Sequence, residues 1–67
     1  MITITMSDWA GLELSVTNMT EQELGYDGNV ARLERMAQNV ANERTASVKI
    51  EQNGKLLASA TYLTAIL

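Results

Sequence analysis

Glu51-Gln52-Asn53-Gly54-Lys55, read EQNGK, lies between two runs of alternating character, and the turn it makes decides which side chains of the second half face a core. Before it, Ala46, Val48 and Ile50 alternate with Ser47, Lys49 and Glu51, the period of a half-buried strand. After it, Leu56, Ala58 and Ala60 alternate with Leu57, Ser59 and Thr61. A two-residue Asn-Gly loop would pair Ile50 with Leu57 and Val48 with Ser59, mixing apolar and polar residues on one face. A three-residue loop, Gln52-Asn53-Gly54 with Gly54 at a bulge, pairs Ile50 with Leu56, Val48 with Ala58 and Ala46 with Ala60. Every inward position is then apolar and Leu57 points outward, so the three-residue loop is the expectation.

The first half reads the same way. Ile2, Ile4 and Met6 alternate with Thr3, Thr5 and Ser7; after Asp8-Trp9-Ala10-Gly11, Leu12, Leu14 and Val16 alternate with Glu13, Ser15 and Thr17. Asp opens type I turns and Gly at the fourth position takes the left-handed conformation, which predicts a three-residue loop of Trp9, Ala10 and Gly11. That loop pairs Met6 with Leu14 and Ile4 with Val16, on one shared apolar face.

Between the hairpins, Thr20 followed by Glu23 has the form of a capping box, and Gly25 can end the short helical turn it starts. Asn18-Met19-Thr20 spells a glycosylation sequon, read here as having a local role. Asp27 or Asn29 caps the next helix. From Val30 to about Glu43, Val30, Leu33, Met36, Ala37, Val40 and Ala41 form one helical stripe, with Arg32, Glu34, Arg35, Gln38, Asn39 and Asn42 mostly off it. Leu56, Ala60, Leu63 and Leu67 also fit helical spacing. The strand reading of Lys55 to Leu67 is preferred because of Thr61, Tyr62, Thr64 and Ile66 and the hairpin signal before them.

The expected fold is a single α+β domain over residues 1–67, in the order ββαββ, with a four-stranded sheet and one helix packed across one face. It resembles the β-grasp shape, in which the first and last strands lie side by side and parallel at the centre. Another strand order, or an open sheet that dimerises by its edge, is the alternative.

With 67 residues and no Cys or His, the chain has no disulfide, thiolate or imidazole, so packing or a partner chain must stabilise it. No catalytic, cofactor-binding or metal-ligating set is expected, and the protein is read as a non-enzyme. Glu21 and Glu23 favour a helix start over a metal or acid/base pair. Asp27-Gly28-Asn29 lacks the flanking oxygen ligands and closing Glu of a calcium loop. Arg32, Arg35, Arg44 and Lys49 read as solvated cations rather than a basic site. Neither a basic leader nor an apolar run of bilayer length is visible, so a cytoplasmic protein without membrane contact is expected.

Charge is divided unevenly. Residues 1–27 contain Asp8, Glu13, Glu21, Glu23 and Asp27 and no Lys or Arg; all five basic residues lie later, within a net charge of −3. This argues against direct nucleic-acid binding and for a protein partner with a basic surface. Trp9, in a loop too short to bury an indole fully, and Tyr26, in the second acidic loop, are candidate anchors, the alternative being that Trp9 folds back over the core. The expected partner-binding set is therefore Asp8, Trp9, Glu13, Glu21, Glu23, Tyr26 and Asp27. Beyond Tyr62, Leu63, Ala65 and Leu67 fall opposite Ile66, leaving the last strand apolar on both sides. Leu57, Leu63 and Leu67 are accordingly candidate contacts of a homodimer, the basis of an alternative reading as a small assembly protein.

Asp8-Trp9-Ala10-Gly11-Leu12-Glu13-Leu14-Ser15-Val16 resembles the first hairpin of small acidic phage anti-CRISPR proteins. Those share an Asp, aromatic, Gly, apolar, Glu, apolar pattern before an Ala-rich helix and a strand. The resemblance implies an inhibitor that occupies the DNA-binding Lys/Arg sites of a host defence complex, with Asp8 and Glu13 carried over. A second full hairpin and a basic helix face depart from that pattern.

Overall fold

The computed structural model describes residues 1–8 and 10–62. Strands β1 (Ile2–Ser7) and β2 (Glu13–Met19) are followed by a helical turn α1 (Glu21–Leu24) and helix α2 (Val30–Arg44). Strands β3 (Ser47–Gln52) and β4 (Lys55–Thr61) complete the order. The four strands form one sheet, and α2 packs over β3 and β4, so the α+β, ββαββ reading holds.

Strand order differs from the β-grasp analogy. The sheet runs β2-β1-β3-β4, every pair is antiparallel, and the central pair is β1 with β3, not β1 with β4. Ile4 lies opposite Ile50 and Met6 opposite Val48, so two β-rich apolar sets meet at the centre of the sheet. The chain meets here the alternative of another strand order.

The helices begin and end on the signals in their sequence. Thr20 Oγ1 accepts from the Glu23 amide at 3.1 Å and the Glu23 carboxylate accepts from the Thr20 amide at 2.9 Å, a complete capping box, and Gly25 closes α1 at φ 76°. Asn29 caps α2 by accepting from the Arg32 amide at 3.3 Å. Leu33, Ala37 and Ala41 of the expected stripe are buried, while Val30, Met36 and Val40 are half-buried.

Among the described residues, four of the eight buried apolar residues are alanines, Ala37, Ala41, Ala46 and Ala58, the others being Ile2, Leu33, Val48 and Ile50. Small residues let helix and sheet approach closely, but they supply little apolar area each. The core is thus thin and lies under the β3–β4 half, with Ile2, Ile4 and Met6 of β1 closing its side.

Both hairpins correct the sequence reading, and both do so through a bulge. EQNGK makes a two-residue turn: Gln52 pairs with Lys55, and Asn53 and Gly54 have φ of 52° and 83°. Two successive left-handed residues give the turn whose twist matches the strands, and Asn-Gly adopts it at least cost. The mixed facing that such a turn implies is removed one step later. Glu51 pairs with Leu56 and Ile50 with Ala58, which leaves Leu57 as an extra residue and returns Ala58 and Ala60 to the helix side. Ala58 and Ala60 therefore face inward as expected, but Leu56 is 51% exposed and Leu57 packs against the core, the reverse of the expected placing.

At the other hairpin the loop is as expected. The Gly11 amide donates to the Asp8 carbonyl at 3.0 Å, the Asp8 amide donates to the Leu12 carbonyl at 2.9 Å, and Gly11 has φ 89°. The register beyond it is not. Ser7 pairs with Glu13 but Met6 pairs with Ser15, so Leu14 is the extra residue. Ile4 then lies opposite Thr17 and Thr5 opposite Val16, which puts Val16 on the face away from the helix.

Candidate functional site

A helix is about 10 Å across and strands are about 4.8 Å apart, so one helix covers about two strands of a sheet. Here those are β3 and β4, and β2 is left as a bare edge. From Glu13 to Asn18 every residue of β2 is exposed, with only Met19 half-buried. Leu12, Leu14 and Val16 keep 65%, 53% and 47% of their surface in solvent. These three aliphatic side chains, placed by alternation in a core, instead form an exposed strip that runs along the edge strand and crosses from one face to the other at the Leu14 bulge, with Val16 on the face away from the helix.

The acidic residues lie in the same half of the chain, and most of them build local structure. One Asp8 carboxylate oxygen accepts from the amides of Ala10 at 2.9 Å and Leu12 at 2.8 Å, holding the loop that leads into β2. Glu23 is committed to the capping box, and Asp27 accepts from the Asn29 amide at 3.1 Å in the turn before α2. Glu13 and Glu21 are exposed and make no side-chain hydrogen bond among the described residues. They stand at the two ends of β2, one at its first residue and one just past its last.

Of the remaining expected contacts, Tyr26 is half-buried against the core beside Leu24, with its amide donating to the Glu21 carbonyl at 2.9 Å. Trp9, Leu63 and Leu67 lie outside the described residues. Leu57, expected as a dimer contact, is packed on the chain's own core, because the β4 bulge turns it inward.

The structure adds Leu12, Leu14 and Val16 to the candidate surface. Sequence alternation placed them in the core, because β1 and β2 alternate equally well in either register. The signal that could have exposed them is width: a single helical stripe is too narrow to cover the apolar faces of four strands.

The outer face of the sheet holds a shallow groove of about 190 Å³ lined by Thr5, Ser7, Ser47, Lys49, Ser59 and Thr61. Its hydroxyls and single amine can form hydrogen bonds with a polar surface. Among the described residues no group of carboxylates could hold a metal ion, no buried side-chain polar atom lacks a partner, and no helix is long and apolar enough to cross a membrane.

Comparison of the chain with protein-family models, with curated proteins and with solved structures found no match.

Proposed function

We propose that this chain is a small non-catalytic protein-binding inhibitor that docks on a basic surface of another protein through its β2 edge. The observation that carries the reading is the exposed strip Leu12, Leu14 and Val16, set in a segment that contains five carboxylates and no cation. Protein interfaces commonly have an apolar centre and a polar rim, and a rim of one sign steers the opposite sign toward it. Glu13 and Glu21 supply rim charges whose carboxylates make no side-chain hydrogen bond among the described residues.

The resemblance of Asp8 to Val16 to the first hairpin of phage anti-CRISPR proteins suggests the class of target, a nucleic-acid-binding surface in a host defence complex. Imitation of phosphates by carboxylates alone is less well supported than strip-centred docking. Asp8, Glu23 and Asp27 each hold backbone amides of the chain itself, so their positions answer to local turns.

The test is capture of a target from host lysate, identified by mass spectrometry and then measured with purified proteins. A Leu14→Ser, Val16→Ser double variant should fold normally and lose at least about tenfold in affinity. Glu13→Lys with Glu21→Lys should slow association and flatten its salt dependence. Equal affinity of the serine variant and the natural chain would remove β2 as the docking edge.

A further inference from the structure

Among the described residues, strand β2 hydrogen-bonds to β1 on one side and ends the sheet on the other, so alternate amides and carbonyls along its outer side have no strand of this chain to pair with. Past the bulge at Leu14, the stretch Ser15–Met19 runs in unbroken register with Met6 to Ile2. That is a continuous template of ordinary strand length.

Natural edges are commonly blunted by Lys, Pro, inward charges or a covering element. Among the described residues none of these protects Ser15–Met19. Its residues are Ser, Val, Thr, Asn and Met; Glu13, the one charge of β2, lies before the bulge. The opposite edge differs, because β4 starts at Lys55 and lies under α2.

Charge decides what can occupy the edge. Glu13 is the first residue of β2 and Glu21, the first of α1, follows two residues after its last, so carboxylates stand near both ends of the edge. A second copy pairing β2 with β2 would bring two acidic segments together, each with five carboxylates and no Lys or Arg. A strand with cations at its ends meets an attractive charge at both.

Resting on the reading of β2 as the docking edge, we propose that β2 accepts an extended segment of the partner as a fifth, antiparallel strand along Ser15–Met19. That segment carries an aliphatic side chain to lie beside Val16, between Lys or Arg residues at its two ends. Backbone pairing provides the affinity, and the terminal cations and alternate side chains provide the selection.

The probe is a synthetic peptide in which Val and Thr alternate between terminal Lys pairs, titrated into the ¹⁵N-labelled full chain. Its controls are the same peptide with Glu at the ends and one N-methylated at alternate amides along one edge. The Lys peptide should shift the amides of Ser15 to Met19 and bind at least about tenfold more tightly than the Glu peptide at low salt. N-methylation should weaken it at least about tenfold, since each lost amide removes a pairing hydrogen bond. Equal binding of the N-methylated peptide overturns strand addition yet leaves the docking edge standing, because side chains would then carry the contact. No shift along β2 with the Lys peptide also overturns it, while the serine-variant capture judges the docking edge separately. Concentration-dependent dimerisation that shifts the same amides without peptide overturns it in favour of a second copy.

Discussion

The two hairpins are built from the same parts and end in opposite states. Each has two alternating strands, a turn with glycine at positive φ, and a bulge that inserts one leucine into the later strand. In β3–β4 the bulge at Leu57 returns Ala58 and Ala60 to the helix side; in β1–β2 the bulge at Leu14 turns Val16 away from it. A bulge shifts facing by one residue in either case, and the surroundings set the consequence. Over β3–β4 there is a helix to receive apolar side chains, and among the described residues no helix packs over β2 in the same way. The same local device therefore completes a core on one side and displays a strip on the other.

The sharpest way to break this comparison is to truncate one aliphatic residue in each hairpin. Ile50 is fully buried, so Ile50→Ala should cost about 2–5 kcal/mol, a large part of the stability of so small a domain. Val16→Ala should change stability by less than about 0.5 kcal/mol. Urea unfolding followed by circular dichroism compares the two. Similar losses at both positions would mean that β2 belongs to the core.

That contrast also shows what could be read from residues alone. Capping signals are local, so Thr20 with Glu23, Gly25 and Asn29 mark the helix ends correctly. The loop from Asp8 to Leu12 is local too, and its hydrogen bonds follow from Asp and Gly three positions apart. Bulges are not local: Leu14 and Leu57 become extra residues only when facing across two strands is settled against a third element. EQNGK illustrates the error. Correct facing was expected from a longer loop, whereas turn chemistry fixed the short one and a bulge four residues later than Asn53 restored the facing. Strand order is equally non-local, since Ile4 can find Ile50 or the last strand with similar apolar gain. For the site, the acidic bracket was legible as composition. The strip was hidden because exposure of Leu12, Leu14 and Val16 depends on where the helix stops covering the sheet.

A second pair of substitutions keeps the comparison but moves it to the turns. Gly11 and Gly54 have φ of 89° and 83°, and a Cβ at either would meet nothing within 4 Å. Replacement by Ala therefore adds backbone strain without a clash, about 1–2 kcal/mol at each site. Thermal unfolding should show equal losses. A much smaller loss at Gly11 would indicate that the first loop tolerates another conformation, and that the β1–β2 register is less firmly set than that of β3–β4.

The smallest effect is at Asp8, where charge and hydrogen bonding can be separated. Its carboxylate accepts from Ala10 and Leu12, and Asn at the same place presents an amide oxygen to the same two donors. Asp8→Ala should cost about 1 kcal/mol through the two unpaired amides, whereas Asp8→Asn should stay within about 0.5 kcal/mol of the natural chain. Measured against the captured target, Asp8→Asn then isolates the charge. If affinity is unchanged, Asp8 shapes the loop and the rim consists of Glu13 and Glu21. If affinity falls while stability holds, the Asp8 charge acts on the partner as well, and the acidic bracket extends to the loop that presents β2.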